Sequence, residues 1–375
     1  MGSIVMVAAP YCYGPTSKLM SVAEELAPRH TLTYVGAEPG LALASTGNFA
    51  QVLPVRDRDV WEADCLKLLK SADLLVSFLD YRALLIAQTH GIPSIFFDTL
   101  LWTRPELPPY TSRAQTYIAQ RFLDEASAVL TPLNLRWVGP VIPRQLEKTA
   151  SEQLHLSRQR NVLVHFGGLK SPATRSGADL DYAGWILDIL HKAISKEVFF
   201  TVCLPQYMRQ TSSDLQSRAP GARLQFSGFS DFHQQLLQCD AFITVPGLEA
   251  VLEAMSLGKA IIFLPPHNAT QLRQMAVYRA HEVGFGYLDV EHVCGFTEPD
   301  VSFNDVTAQL QRSNSSKSKD SSVTDALAAR LNRYLSLEVA ASPRVDEYRN
   351  RNKHLFQALG QRGRQTTATI IEEHL

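Results

Sequence analysis

The chain has 375 residues, 45% of them hydrophobic, and its 36 basic and 37 acidic residues leave a formal net charge of −1. That length suffices for two compact domains with separate cores, and without a dense Lys/Arg run there is no electrostatic reason to expect nucleic-acid binding. The runs "IVMVAAP" and "AIIFLPP" are too short to span a bilayer, and the N-terminus lacks the basic start and small-residue cleavage site of a signal peptide. The expectation is a cytoplasmic protein, monomer or homodimer, with no transmembrane segment. Cys12, Cys65, Cys203, Cys239 and Cys294 are odd in number, scattered and without metal-type pairing, so they are expected to be reduced thiols.

Short runs rich in Val, Ile and Phe alternate with amphipathic segments, the pattern of βα repetition and a mainly parallel sheet. The first set runs "SIVMVAAP", "TLTYVG", "AQVLPV", "DLLVSFLD", "PSIFFD" and "SAVLTP", with helical patterns such as "SKLMSVAEELA" and "ADCLKLLKSA" between them. "LRWVGPVIP" closes a Rossmann-like half over residues 1–144. The polar stretch 145–160 is expected to be a linker. A second Rossmann-like half, 161–350, holds "NVLVHFGG", "VFFTVCLP", "ARLQFSGF", "AFITV" and "AIIFLP" as strands. Two α/β halves of this kind are expected to face a central cleft, where strand ends meet ligand. Within the second half, "QRSNSSKSKDSS" is a low-complexity polar tract, and residues from about 300 to 325 are expected to form a mobile surface loop. The last segment, 351–375, has a helical pattern that could pack back on the first half.

The chemistry concentrates in "VPGLEAVLEAMSLGKAIIFLPPHNATQ". Pro246 suits a first helical turn, and Glu249 and Glu253 then share one face, one turn apart. A solvated acidic face is the plain alternative. After Gly258 and an apolar strand, His267, Asn268, Thr270 and Gln271 gather at a strand's carboxyl end, where doubly wound sheets place their ligand.

This order of a glutamate, a glycine five positions on, an apolar strand, a proline and a polar loop ending in glutamine resembles the donor-binding region of GT-B glycosyltransferases. The resemblance is to the nucleotide-sugar enzymes of families one and twenty-eight, including the transferase that adds N-acetylglucosamine in peptidoglycan synthesis. It implies that Glu253 holds the ribose diol, two acceptor oxygens against two hydroxyl donors. It also implies that the helix start at Gly247 and Leu248 faces the diphosphate. "FSGFSDFHQQLLQCDAFITV" is similar to the family's nucleobase-reading segment, which makes Ser230 the matching position; an ordinary turn capped by Asp231 is the alternative. In "HFGGLKSPATR", Gly167 and Gly168 permit close approach to an anion, with Lys170, Ser171 and Thr174 as further donors. His165 reads as a buried histidine.

In the first half, "APYCYGPTSKL" places Tyr11 and Tyr13 at the turn after the first strand, where many related transferases carry a histidine base; this chain has none there. Candidate replacements are Asp80 and Asp98, at the ends of "DLLVSFLD" and "PSIFFD", as carboxylate bases or as helix and turn caps. Asp98 is favoured slightly, because Trp102, Arg104 and Tyr110 follow it as an acceptor pocket or a packed hinge. The resemblance implies a metal-independent, inverting transfer without cofactor, from a uridine or thymidine diphosphate sugar, the uridine form favoured, to a specialised metabolite or nucleobase. A nucleotide-sugar epimerase or hydrolase, or a non-catalytic nucleotide-sugar-binding subunit, are the rival readings.

Overall fold

The computed structural model describes residues 1–11, 13–56, 61, 63–104, 106–124, 134–149, 160–169, 174–193, 198–226, 229–288, 302–336 and 342–375. The chain divides into two compact units, Met1–Glu147 with Phe356–Leu375, and Lys148–Leu355.

The first unit runs β1 (Ser3–Ala8), α1 (Gly14–Leu26), β2 (Thr31–Gly36), α2 (Gly40–Ala44), β3 (Gln51–Pro54), α3 (Ala63–Lys70), β4 (Leu74–Phe78), α4 (Tyr81–Thr89), β5 (Ser94–Asp98), β6 (Thr116–Gln120) and β7 (Leu135–Val138), and α5 (Arg144–Thr149) spans its boundary at Glu147. The second runs β8 (Arg160–His165), α6 (Ala178–Ala193), β9 (Val198–Cys203), α7 (Ser212–Arg218), β10 (Arg223–Gln225), α8 (Phe229–Gln238), β11 (Ala241–Thr244), α9 (Glu249–Ser256), β12 (Ala260–Phe263), α10 (Ala269–Ala280), β13 (Gly286–Tyr287), α11 (Phe303–Lys317) and α12 (Ser321–Leu335). Helices α13 (Pro343–Ala358) and α14 (Gly363–Glu372) end the chain.

In the first unit the strands pair in parallel in the order β3-β2-β1-β4-β5-β6-β7. Side chains alternate between faces along a strand, and β1 shows why the sheet is covered on both sides. Ile4 and Met6 join Leu19 and Val22 of α1 in one core, while Val5 and Val7 join Leu69 of α3 and Leu84 of α4 in the other. Helix α14 belongs to this unit: Ala368, Ile370 and Ile371 lie in the α1 core. The Arg364 side chain, 2% exposed, is held there between Glu25 and Glu147. Strand β6 is absent from the sequence expectation because "TYIAQ" has polar ends; both are buried, Thr116 against His374 and Gln120 accepting from the Val141 N–H. The expected strand "SAVLTP" lies outside the described residues.

In the second unit the parallel order is β10-β9-β8-β11-β12-β13. Val162, Val164, Phe200, Ile243 and Ile262 face Trp185, Ile186 and Leu190 of α6 and Leu331 of α12. The expected mobile loop at 300–325 is corrected: its described residues form α11 and the start of α12. Composition hid a helical repeat. Val306 and Leu310 bury on α11 beside Thr307, Gln311 and Asn314, and polar side chains enter an interior readily when each finds a partner. Among the described residues no helix is long and apolar enough to cross a membrane.

Candidate functional site

Each sheet reverses its strand order once, between β1 and β4 in the first unit and between β8 and β11 in the second. Ligands of open α/β sheets bind beyond the carboxyl ends of the strands at such a switch point.

In the second unit, β8 ends in His165 and passes into Gly167, whose φ of +56° and whose separation from Val245 Cγ2, 2.9 Å from where a Cβ would stand, both require glycine. Strand β11 passes through Val245 and Pro246 into α9. Helix α9 has Leu248 at its N-cap, with no side-chain cap, and its first N–H groups carry the positive end of the helix dipole. The Gly247 N–H is not among them, because it donates to Val245 O at 2.6 Å. Gly247 O in turn accepts from the Tyr278 hydroxyl at 2.8 Å, which fixes the turn. Of the two expected donors, the Gly247 N–H is therefore already engaged within the turn. The helix closes at Gly258, φ +63°, in the left-handed conformation usual just past a helix end.

Of the two acidic residues, Glu249 is half-buried at the helix start, while Glu253 is 3% exposed with Oε2 at 3.3 Å from Nε2 of the buried His233 on α8. His165 completes this group on the same side of β8, its ring 4.4 Å from Phe232. Burial pushes the His165 imidazole down to about 4, against the pull of Glu253. Ser230 lies in the first turn of α8, and its side chain is outside the described residues, as are Lys170 and Ser171.

The polar cluster after β12 is put to another use than expected. Asn268 caps α10, its Oδ1 accepting from Gln271 N at 3.0 Å, and its Nδ2 donates to Gly168 O. Gln271, 3% exposed, donates to the same carbonyl and accepts from His267 N at 2.7 Å. Both side chains are thus committed to tying the β12 loop to the β8 glycine loop rather than presented to a ligand. His267 is 1% exposed, packs 4.8 Å from the Tyr182 ring, and is pushed down to about 4 by burial, with Asp179 opposing. It is a neutral core residue.

Helix α11 supplies the residues that sequence reasoning missed. Thr307 accepts from Ala269 N at 3.2 Å, Gln311 accepts from Arg175 N at 3.0 Å, and Asn314 donates to Pro266 O at 3.0 Å. Positions 307, 311 and 314 share one helical face, so one helix satisfies backbone groups of the loop after β8 and of the loop after β12. Their spacing was the signal available in the sequence.

In the first unit, Asp98 ends β5 and is completely buried. It accepts from Leu100 N at 2.7 Å, Arg104 Nε at 2.7 Å and the Tyr117 hydroxyl at 2.5 Å. Burial and the Asp98 charge together push the Tyr117 phenol far up, so it stays protonated. Burial lowers the Arg104 guanidinium and Asp98 raises it, with a net rise. The expected base is therefore the anionic centre of a turn, with its oxygens already filled by donors, and Arg104 is its partner rather than a free acceptor contact. Asp80 caps α4 through Arg82 N at 3.1 Å and is 4% exposed. Immediately before it Leu79 adopts φ +63°, a costly conformation for a bulky residue of the kind that concentrates at functional sites. Tyr11 is 45% exposed, Tyr13 half-buried at the start of α1, and Trp102 stacks on Phe122 at 4.4 Å.

No protein-family profile and no curated protein sequence matches the chain. Solved structures do match it in fold. The glycosyltransferase of kitacinnamycin is 16% identical, with 100% of this chain and 99% of that chain covered and a TM-score of 0.60. The calicheamicin glycosyltransferase CalG4 is 14% identical over 100% of this chain and 98% of its own, TM-score 0.57. Os79 from O. sativa, solved in complex with UDP, is 12% identical over 99% of this chain and 100% of its own, TM-score 0.62. The chain has the GT-B fold.

Proposed function

We propose that the protein is a glycosyltransferase that moves a sugar from a nucleoside diphosphate sugar to a small-molecule acceptor. The observation that carries this reading is the uncapped start of α9 beside the left-handed Gly167 at the switch point of the second sheet. Backbone N–H groups there meet a diphosphate, and the charge that grows on the leaving group is stabilised by amides already oriented toward it. No metal is needed for that role in the proposed mechanism. In this account Glu249 and Glu253 are the carboxylates that hold the ribose diol, and the UDP bound to Os79 favours a uridine diphosphate sugar. The acceptor hydroxyl or nitrogen attacks the anomeric carbon in line, which inverts it. Asp80, at the strained end of β4, is the base in this account, because Asp98 is committed to Arg104 and Tyr117. Tyr11, Tyr13 and Trp102 offer aromatic surface to a flat or partly apolar acceptor, a class in keeping with the natural products named for two of the matching transferases.

The test is turnover. Purified protein incubated with uridine diphosphate sugars and a panel of aromatic acceptors should release uridine diphosphate and yield acceptor heavier by one sugar. Tight nucleotide-sugar binding with no transfer to any acceptor class would favour a non-catalytic binding subunit instead.

A further inference from the structure

His233 lies on α8, the helix that begins at the segment expected to read the nucleobase, and Glu253 lies on α9, the helix whose start faces the proposed diphosphate. Both side chains are buried, at 0% and 3% exposed, and Nε2 and Oε2 stand 3.3 Å apart. The contact has ion-pairing distance but not the alignment of a straight hydrogen bond. Contacts of this kind are often loosely aligned before ligand arrives and tighten when it does. Packing leaves the imidazole little choice of place. Phe232 lies 5.3 Å from its ring, and His165, whose ring is 4.4 Å from Phe232, carries the group across to β8 beside Gly167.

A glutamate side chain has three rotatable bonds, and holding it in one rotamer costs entropy unless something fixes it. If Oε2 is engaged by His233, the plane of the carboxylate is set and Oε1 is left wholly available to accept from a hydroxyl. We infer that His233 is a positioning residue that fixes the Glu253 carboxylate against α8, so that one oxygen is presented to the ribose of the nucleotide. The inference rests on the donor-site reading given above and adds the residue that sets ribose discrimination. It links the base-reading and ribose-reading elements through one buried contact.

The experiment compares affinities for uridine diphosphate and 2′-deoxyuridine diphosphate by calorimetry, in the full-length protein and in its variants. The wild type should prefer the ribonucleotide by about tenfold, the worth of one net hydrogen bond. His233→Phe keeps an aromatic ring, somewhat larger, and loses Nε2; the preference should fall to about twofold or less, while deoxynucleotide affinity is unchanged. His233→Gln, whose amide nitrogen reaches where Nε2 stood, should restore the preference. His233→Asn, too short to reach Oε2, serves as the loss variant should the Phe substitution not fold. A purely structural histidine would weaken both nucleotides together, and a preference preserved in His233→Phe or His233→Asn overturns the inference while leaving the donor site standing. Absence of any uridine diphosphate binding in the wild type overturns the inference together with the reading beneath it.

Discussion

Replacing Asp98 by Asn separates a structural carboxylate from a catalytic base. The side chain is completely buried and accepts from three residues, through Leu100 N–H, Arg104 Nε–H and Nη2–H, and the Tyr117 hydroxyl. An amide has one acceptor oxygen, so in either orientation its NH₂ group points at a donor, and the Arg104 guanidinium loses its counter-charge. Removing one member of a buried ion pair costs about 3–5 kcal/mol. The Arg104 side chain is 23% exposed and regains some hydration, which places the expected cost near the lower end, about 3 kcal/mol. With a urea slope of about 2 kcal/mol/M, the midpoint of the first unit should fall by roughly 1.5 M. Tryptophan fluorescence reports on it well, because Trp61, Trp102 and Trp137 lie in the first unit and only Trp185 in the second. At a temperature where the variant is still folded, kcat should stay within about threefold of wild type, whereas loss of a general base costs about 10²–10⁴. An unshifted midpoint with kcat reduced a hundredfold would refute the structural assignment and return Asp98 to the base role.

Three further outcomes follow from the second unit. Gly167→Ala forces a side chain into a left-handed backbone and toward Val245; at about 1–2 kcal/mol of strain, uridine diphosphate affinity measured by calorimetry should drop about tenfold while uridine affinity changes little. Asn314→Leu removes the donor to Pro266 O and leaves that carbonyl unsatisfied, for about 1–3 kcal/mol, so scanning calorimetry should show the second unit's transition moving down and the first unit's unmoved. His165 and His267, each held down to about 4 by burial, stay neutral in the folded protein but take up protons when unfolded near pH 6.5. Their contribution is therefore complete above pH 6.5 and lost as pH falls toward 4; His267→Phe should flatten the urea midpoint of the second unit over that window, and an unchanged slope would show that His267 is not buried in its neutral form.

The α/β class was legible because strands covered on both faces are continuous apolar runs: every residue of β4 and of β5 is buried, and nothing in "LLVSF" or "SIFF" needed tertiary information. Strand β6 was not legible, since Thr116 and Gln120 are polar and only their partners, His374 and the Val141 N–H, make their burial affordable. Helix α11 failed for the same reason on a larger scale. Its serine-rich end masked a periodic face of Thr307, Gln311 and Asn314 whose partners lie on loops far away in sequence. At the site, the glycines and the helix start could be found from spacing, because backbone conformation constrains residue type locally. The commitments of Asp98, Asn268, Gln271 and Gly247 depend on side chains and carbonyls that only the fold brings near, so residue type alone offered each of them to a ligand.

The central claim is a nucleotide diphosphate site at the start of α9, and a calorimetric titration of the intact protein with uridine diphosphate, without added metal, tests it most directly. The account predicts binding with a Kd of about 1–100 μM, equivalent to roughly 5–8 kcal/mol, weakened by Gly167→Ala. Absence of binding, or binding that Gly167→Ala leaves unchanged, would contradict it.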